Sequence, residues 1–412
     1  MRLSDDDHAM LGRIRAAEPT LIGRTLEWCA INSGSRNLDG LLATADRLAE
    51  AFAPLAAVDR LALEMPEEVD ARGALVRSRT GPCLRITKRP EAPVQVVLTG
   101  HYDTVFPPGD GFDRVVDRAD GALHGPGVAD MKGGISVMLG ALEAFDAHPL
   151  AHRVGWRVLL SPDEEIGSLA SAPELARVAE GAHVGLTYEP ALPGGGLASS
   201  RKGSGNFAVR VTGRAAHAGR DFASGRNAVA AAARLAAALD GLNGAREAVT
   251  INVARIDGGG PSNQVPDRAV VRFNVRMPDP EGAAWLEAQI PRAVAAGEGD
   301  GLEVSLHGGF TRPPKPINAA QQQLFDAVRE AAGLLDLPLS WTPSGGVCEG
   351  NNLFASGCPN LDTLGVRGGD IHTHDEHAWP DSFAERAALS AVVLAKLADG
   401  SVDAPAIRAA MG

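Results

Sequence analysis

The stretch 94–104 reads VQVVLTGHYDT, an apolar run followed directly by a histidine and, two residues later, by an aspartate. The valines and leucine of 94–99 predict a buried strand, because apolar runs of this length are typical of strands covered on both faces. His101 and Asp103 then stand where this strand ends. Such a pair can be a metal ligand and the carboxylate that orients it, although His-x-Asp alone is more often a surface turn.

Further strand and helix patterns alternate around this stretch. Apolar residues recur on one helical face across 131–147, and strand-like runs follow at 154–160 and 183–189. Strand–helix–strand alternation is typical of a parallel sheet covered by helices. We therefore predict an α/β fold with a mostly parallel sheet.

The pattern changes from about residue 201 onward. The segments 207–212, 250–256 and 268–276 alternate apolar and polar residues, and an alanine-rich helical segment at 226–241 separates the first two. Alternation with a period of two is typical of an antiparallel sheet with one exposed face. These patterns predict an inserted α+β domain.

The first pattern resumes after the linker GFTRPPKP. We predict a helix at 319–334, a strand at 361–366 and a last helix at 382–397, where Ser382 and Glu385 have the spacing of a capping box. The predicted division is a catalytic domain made of residues 1–200 and 313–412, with the inserted domain at 201–312.

Composition and charge exclude several classes of protein. The chain has 412 residues, too many for one ordinary core, and its formal net charge of -12 argues against a nucleic-acid partner. No apolar run approaches the roughly 20 residues that cross a membrane, and the start MRLSDDDHAM lacks the apolar core of a secretory signal. Four scattered cysteines fit reduced thiols, so we expect a cytoplasmic protein with no membrane partner.

Further acids and histidines follow the other predicted strands. Three adjacent acids stand in SPDEEIGS (161–168) with no Lys or Arg in the stretch, Glu189 follows the next strand, and GGDIHTHDEH occupies 368–377. Asp130 stands in GPGVADMKGG (125–134), whose glycines favour a backbone packed closely around a bound group. Asp130 also occupies a helix N-cap position, where aspartate is favoured for structural reasons alone.

These groups should converge, because ligands bind beyond the carboxyl ends of the strands in open α/β sheets. Mixed histidine and carboxylate ligands suit zinc. The set exceeds what one tetrahedral zinc needs, so we predict two cations about 3.5–4 Å apart that share a bridging acid. The converging residues are His101, Glu164 or Glu165, Glu189 and a histidine near 372.

The chain resembles the di-zinc exopeptidase and deacylase family in an ordered set of motifs: GHYDT, GPGVADMKGG, SPDEEIGS, YEP, GRAAHAG and GGDIHTHDE. That family includes bacterial glutamate carboxypeptidase, acetylornithine deacetylase, succinyl-diaminopimelate desuccinylase and the aminoacylases. The resemblance runs from about residue 95 to the C-terminus. It implies two Zn²⁺ per chain, which Co²⁺ can replace, and a homodimer formed through an inserted lid and dimerisation domain.

The resemblance also implies roles for individual residues. His101, Asp130 and Glu189 would hold one zinc, and Asp130 would bridge to a second zinc that Glu165 and His372 complete. His374 and His377 are alternatives for the last ligand. We favour His372 because the family pattern is a histidine, then Thr or Ser, then two residues, then Glu, which His372 to Glu376 matches.

Three further expectations concern the surroundings of the zinc ligands. The resemblance implies that Glu164 is the general base, that Asp103 orients His101, and that the 130–131 peptide is cis. Asp163 is then left as a solvated or turn-forming residue. Glu349 stands where relatives commonly have Asp, which puts the substrate in doubt more than the chemistry.

The inserted domain supplies the remaining candidates. The resemblance implies that His217, in GRAAHAG, reaches across a dimer interface and steadies the carbonyl oxygen, whereas without the other motifs it reads as a turn histidine. Asn263 and Arg276 match positions that contact substrate, with Arg276 on the substrate carboxylate. An ordinary solvent-facing strand arginine is an equally good reading of Arg276.

The predicted function is a zinc-dependent hydrolase that cleaves an amide bond next to a free carboxylate, as carboxypeptidases and N-acyl-amino-acid amidohydrolases do. Its substrate would be a small acyl-amino acid or peptide. One alternative is a deacetylase or desuccinylase of a biosynthetic amino acid. Another is a non-catalytic metal-binding relative, which predicts that the base or a ligand has been lost.

Overall fold

A six-stranded sheet lies at the centre of the computed structural model, which describes residues 1–412. Its strands in spatial order are Val58–Leu61, Cys83–Lys88, Val154–Ser161, Val94–His101, Val184–Thr187 and Asn360–Leu361. The last four run parallel to one another, whereas the first two pair antiparallel with their neighbours. The sheet is therefore mixed, and the expectation of a mostly parallel sheet holds only for those four strands.

The antiparallel edge has a simple cause in the length of one connection. Only residues 89–93 join Cys83–Lys88 to Val94–His101, and a parallel crossover needs a dozen residues or more. The alternation of helices and strands in the sequence shows where crossovers are possible. It does not show where a short connection reverses the chain.

Helices cover both faces of this sheet. Val96 and Leu98 point into the larger apolar core, together with residues of the helices Asp5–Cys29, Lys132–Asp146 and Ser382–Asp399. Val97 points to the opposite face, where a smaller core is completed by two short helices. The remaining helices of this part of the chain are Leu38–Phe52, Ala172–Ala179, Ala319–Gly333, Glu349–Ala355 and Ala404–Ala409.

Residues 203–312 build a second sheet with its own core. Its strands in spatial order are Thr250–Gly258, Arg268–Met277, Gly203–Thr212 and Glu303–Arg312, all antiparallel to their neighbours. The helices Ala228–Asp240 and Pro280–Val294 cover one face, where Val209 and Val271 are fully buried. The predicted alternating strands are confirmed. The strand Glu303–Arg312 was not predicted, and the division into domains, like the lid and dimerisation role, stays a prediction.

Short strands complete the structure. None of its helices is both long and apolar enough to span a membrane. All four cysteines are buried and free, and the cytoplasmic location inferred from them stays a prediction. The short strands are Glu67–Val69, Leu75–Arg77, Val116–Asp117, Leu123–His124, Leu197–Arg201, Ala216–His217, Gln264–Val265, Trp341–Ser344, Gly368–Gly369 and His377–Ala378.

Two local predictions near the C-terminus are wrong. The strand expected at 361–366 is only Asn360–Leu361, because the chain turns away at Thr363, whose φ is 65°. Ser382 is the first residue of its helix and not its cap. Its hydroxyl donates instead to the carbonyl of Trp379 at 2.6 Å and accepts from the N–H of Arg367 at 3.0 Å.

Candidate metal centre

Histidine and carboxylate side chains meet beyond the carboxyl ends of the central strands. His101 is the last residue of the middle strand, and Asp130 lies two residues before the helix Lys132–Asp146 begins. Glu165 and Glu189 follow the two strands that flank the strand of His101. His372 lies in a loop, and its own φ is 63°. Four loops and one strand end therefore bring together the residues that the sequence predicts as metal ligands.

Asp130 lies between the two histidines. Its Oδ1 is 3.1 Å from His101 Nε2, and its Oδ2 is 3.3 Å from His372 Nε2. His372 Nε2 is also 3.2 Å from Glu165 Oε2, and His101 Nε2 is 3.8 Å from Glu189 Oε2. One carboxylate thus directs one oxygen to each of two histidine–carboxylate groups, which is the arrangement of a bridging ligand. Asp130 is not a helix cap, because Met131 holds that position.

The other two histidines of the C-terminal loop face different partners. His374 Nε2 lies 3.2 Å from Asp110 Oδ2, and its ring stacks on Phe112 with a centroid distance of 5.2 Å. His377 Nδ1 lies 3.4 Å from Asp370 Oδ2. Of the three candidates, the structure brings only His372 to Asp130.

The carboxylates of this centre repel one another in the absence of a cation. Burial and the neighbouring Asp130 raise the pKa of Glu165 to about 8, and burial and Glu164 raise the pKa of Glu189 to about 7. Hydrogen bonds to Asp130 and Glu165 raise the pKa of His372 to about 11. The raised pKa values show that the crowded carboxylates favour bound protons, and a divalent cation would offset the same negative charge more strongly.

The donor set fits a pair of divalent cations. Glu189 is buried, yet its Oε1 has no hydrogen-bond partner, and an unpaired buried carboxylate oxygen is costly unless a cation or a donor satisfies it. Single ligand atoms of His101, Asp130 and Glu165 lie within 4.8 Å of one another, as do those of His101, Glu164 and Glu189. Imidazole and carboxylate ligands of this kind suit zinc.

Asp103 is fully buried behind the centre. His101 Nδ1 lies 3.1 Å from the Asp103 carbonyl oxygen and 3.3 Å from its Oδ1, so a proton on Nδ1 leaves Nε2 free to bind a metal. The Asp103 carboxylate accepts the backbone N–H groups of Glu164 at 3.1 Å and Glu165 at 3.2 Å, and the Ser35 hydroxyl donates to it at 2.7 Å. One residue thus fixes both the histidine and the following acidic loop.

Two residues next to the centre were missed as functional candidates. Glu376 appeared in the sequence pattern only as a spacing marker, but its buried carboxylate accepts the N–H groups of Gly127, Ala129 and Asp130. Arg312 donates from Nη1 to Glu164 Oε1 at 2.5 Å. The spacing from His372 was a usable signal for Glu376, whereas the sequence around Arg312 carries none.

The remaining acid of the SPDEEIGS loop is not solvated. Asp163 is fully buried, and its Oδ2 accepts the N–H groups of Ala170 at 2.6 Å and Ser171 at 3.3 Å. The expectation of a solvated Asp163 is therefore wrong, and its alternative, a turn-forming residue, describes what is observed. The carboxylate closes the loop that presents Glu164 and Glu165.

The fold and this centre can be compared with known proteins. Residues 97–396 match the model of peptidase family M20/M25/M40. The chain belongs to this family. Because the family consists of metal-dependent hydrolases, the chain is an enzyme of that kind, and the resemblance drawn from its motifs is confirmed. The non-catalytic alternative predicted a lost base or ligand, and none of the expected residues is missing.

Curated relatives in the family are deacylases. The chain is 30% identical over 327 residues to a succinyl-diaminopimelate desuccinylase of Rhodospirillum rubrum, which covers 72% of this chain and 80% of the relative. It is 31% identical over 306 residues to the enzyme of that name from Methylorubrum extorquens, covering 68% of this chain and 77% of the relative.

Solved structures of several peptidases share the fold over most of their length. A di-peptidase of Saccharomyces cerevisiae superposes with a TM-score of 0.71 at 15% identity, covering 96% of this chain and 99% of that chain. A metallo-carboxypeptidase of Sulfolobus solfataricus gives 0.69 at 16% identity, with 95% and 99% covered. A dinuclear metal binding peptidase of Bacillus subtilis gives 0.61 at 14% identity, with 93% and 99% covered. At these identities the likeness concerns the fold alone.

Of the candidates in the inserted segment, Arg276 lies near the metal centre: burial and the neighbouring Arg312 lower the pKa of Arg276, while the Glu164 carboxylate opposes that shift. His217 is exposed on the two-residue strand Ala216–His217, and the exposed Asn263 accepts the N–H of Ala218 through its carbonyl at 2.9 Å. Neither forms a hydrogen bond or ion pair with the ligand set. Arg276 is half-buried, and although its Nε donates to Asn274, its Nη1 is buried without a partner.

Glu349 lies behind the centre and not on an open pocket wall. It is fully buried, and the Ser161 hydroxyl donates to its Oε1, while its Oε2 has no partner. Burial raises the pKa of Glu349 to about 8. Glu349 is therefore bonded to Ser161, the last residue of the strand Val154–Ser161.

Proposed function

We propose that this M20-family enzyme is a di-zinc amidohydrolase that cleaves an amide bond next to a free carboxylate in a small acyl-amino acid or peptide. The observation that carries the proposal is the position of Asp130, which directs one carboxylate oxygen to His101 and the other to His372. A bridging carboxylate between two histidine–carboxylate groups would hold two cations close together, as two-metal hydrolysis needs.

The ligands divide into two groups that share Asp130. His101 and Glu189 would complete one zinc site, and Glu165 and His372 would complete the other, with Co²⁺ able to replace zinc. When bound, the two cations supply Lewis acidity, which lowers the pKa of water and polarises the amide carbonyl. The unpartnered Oε1 of Glu189 and the crowded carboxylates support this assignment.

Glu164 is the general base of the proposed reaction. Its Oε2 lies 3.9 Å from His101 Nε2 and faces the ligand cluster, while its Oε1 is held by Arg312. Oε2 therefore takes the proton of the attacking water and delivers it to the nitrogen of the leaving amine. Asp103 keeps His101 in the tautomer and orientation that binding requires.

The substrate would be held by residues of the inserted segment. The half-buried guanidinium of Arg276 has a free donor at Nη1, which would pair with the free carboxylate next to the scissile amide. Asn263 lies beside His217 and would contact the substrate in the same site as that histidine. This assignment predicts that esterified or amidated substrates lose affinity, which a KM comparison between acid and amide forms would measure.

His217 is exposed and forms no hydrogen bond or ion pair with the proposed ligands of its own chain, and we propose that it acts in a homodimer, on the site of the other subunit. There it would share the negative charge that develops on the carbonyl oxygen. Co-expression of Glu164→Gln chains with His217→Ala chains tests this, since a mixed dimer then contains one intact site. About a quarter of wild-type activity per chain should return, and no return in confirmed mixed dimers would refute the arrangement.

Metal analysis combined with one substitution tests the chemistry. The purified protein should contain two equivalents of zinc per chain, and Glu164→Gln should keep both while kcat falls by about 10²–10⁴-fold. Near-normal turnover by a fully loaded Glu164→Gln enzyme would remove Glu164 as the base. One equivalent of metal at full activity would remove the bridging role of Asp130.

A second candidate function is the removal of a succinyl or acetyl group from a biosynthetic amino acid. The observation that favours it is the desuccinylase identity of the curated relatives that cover two thirds or more of this chain. Zinc- and cobalt-loaded enzyme should be assayed on N-acyl-glutamate, N-acyl-aspartate, dipeptides, N-succinyl-diaminopimelate and N-acetylornithine. The substrate with the highest kcat/KM decides between the two functions.

A further inference from the structure

We propose that Arg312 is the positioning residue of Glu164 and keeps this carboxylate available as a base instead of letting it become a metal ligand. The inference rests on the proposed function in one respect, the role of Glu164. Arg312 is the last residue of the strand Glu303–Arg312 and reaches out of the inserted segment into the acidic loop of the catalytic centre.

The contacts of Arg312 hold the whole loop. Its Nη1 donates to Glu164 Oε1 at 2.5 Å, and its Nη2 donates to the Glu164 carbonyl at 3.1 Å and to the Ser168 hydroxyl at 2.7 Å. The side chains of Arg312 and Glu164 are only 2% and 9% exposed. A planar guanidinium held by three acceptors in a buried site fixes direction as well as distance.

The contact decides which way the Glu164 carboxylate faces. With Oε1 bound to Arg312, Oε2 is left toward His101 at 3.9 Å. Glu164 also lies close enough to His101 and Glu189 to belong to a possible ligand group. A freely rotating carboxylate there could bind a cation through both oxygens, and a coordinated carboxylate is a poor proton acceptor. Arg312 prevents that rotation.

The backbone that carries Arg312 is fixed on both sides. Arg312 pairs with Ser204 in the sheet, and the carbonyl of the following residue, Pro313, accepts a hydrogen bond from Asn351 at 2.8 Å. Three residues on, Lys315 exchanges two backbone hydrogen bonds with Arg201, each of 2.9 Å. The backbone that carries the guanidinium is therefore rigid, and precise positioning of a catalytic group needs such a backbone.

Steady-state kinetics on fully metal-loaded variants test the proposal, with N-acyl-glutamate or the better substrate of the panel as probe. Arg312→Gln should lower kcat by about 10²-fold, the loss that a displacement near 1 Å produces, while KM changes less than about three-fold and metal content stays at two per chain. Arg312→Lys should retain an intermediate kcat, because its ammonium keeps the positive charge but has one donor nitrogen in place of the planar fork. Arg386→Gln is the matched control, since Arg386 is equally buried at 1% and bonds to Gly195; its kcat should stay near wild type.

A double-mutant cycle shows whether Arg312 acts through the base. In a Glu164→Gln background, Arg312→Gln should change the residual rate less than about three-fold. An equal loss in both backgrounds would overturn the proposal, and so would a raised KM with unchanged kcat, which would make Arg312 a substrate contact. Near-normal turnover by the Glu164→Gln single variant would instead show that the proposed function itself is wrong. If Arg312→Gln does not fold, Arg312→Lys decides: a reduced kcat at constant KM supports the proposal, and a wild-type kcat overturns it.

Discussion

Glu376 offers the sharpest test of how the loop around Asp130 is held. Its Oε1 accepts the N–H groups of Ala129 and Asp130, both at 3.0 Å, and its Oε2 accepts that of Gly127 at 3.2 Å. The side chain is 1% exposed, so water does not replace these bonds in the folded protein. Glu376→Gln keeps the volume but places an amide NH₂ opposite one of the three donors.

The size of the effect follows from these contacts. A hydrogen bond to a charged acceptor contributes about 1.5–3 kcal/mol, and leaving a buried donor unsatisfied costs a comparable amount. Glu376→Gln should therefore lower the free energy of local opening by about 2–3 kcal/mol, and Glu376→Ala by more. In metal-free protein the Gly127 amide should then exchange its hydrogen roughly 30- to 160-fold faster, at 1.36 kcal/mol per factor of ten.

Residue-resolved hydrogen exchange is the assay, and Glu330→Gln is the control, because Glu330 forms only an exposed ion pair with the N-terminal amine. The control should leave the exchange of the Gly127 amide unchanged. A chelator competition on the same variants should show metal affinity falling about 10–100-fold for Glu376→Gln, since Asp130 is then less firmly placed. Unchanged exchange at Gly127, Ala129 and Asp130 in Glu376→Gln would refute the argument.

Two further predictions concern stability. Burial opposes ionisation of Asp362, but Arg201 and Lys315 outweigh it and lower the pKa of Asp362 from 3.8 to about 2. About 2 kcal/mol of stability is therefore present above pH 4 and is lost as the pH falls toward 2. Urea unfolding of chelated wild type and Asp362→Asn across that pH range would measure this loss. A Cβ at Gly134 would lie 2.0 Å from a backbone carbonyl oxygen. Gly134→Ala should therefore cost about 1–3 kcal/mol in urea unfolding, whereas Gly12→Ala, in a helix with nothing near its Cβ, should be neutral or stabilising.

The sequence could place most of the candidate ligands at one edge of the sheet, because most of them follow a strand or shortly precede a helix. An apolar run fixes the strand Val94–His101, and the geometry of α/β sheets then places whatever follows it at one edge. The same logic places Glu165 and Glu189, whose strands lie on either side of the first. His372 needed the motif as well, since the strand predicted before it is only two residues long.

The supporting residues could not be predicted in this way. Arg312 bonds to Glu164 across 148 positions of sequence, and no periodic pattern in the sequence predicts such a contact. Glu376 acts through backbone N–H groups, which have no residue-type signature. The reversed edge of the central sheet escaped prediction because its cause is a short connection at 89–93 and not a pattern of side chains.

The three adjacent acids at 163–165 show how much the sequence view changes. From the sequence, only metal cations could offset their repulsion, because no basic residue stands nearby. In the structure the acids turn to three different partners: Asp163 to backbone N–H groups, Glu164 to Arg312, and Glu165 to His372. Metal is therefore needed to explain only the last of them. The positive charge beside Glu164 is the Arg312 guanidinium of the inserted segment, so one buried ion pair links that segment to the carboxylate proposed as the base.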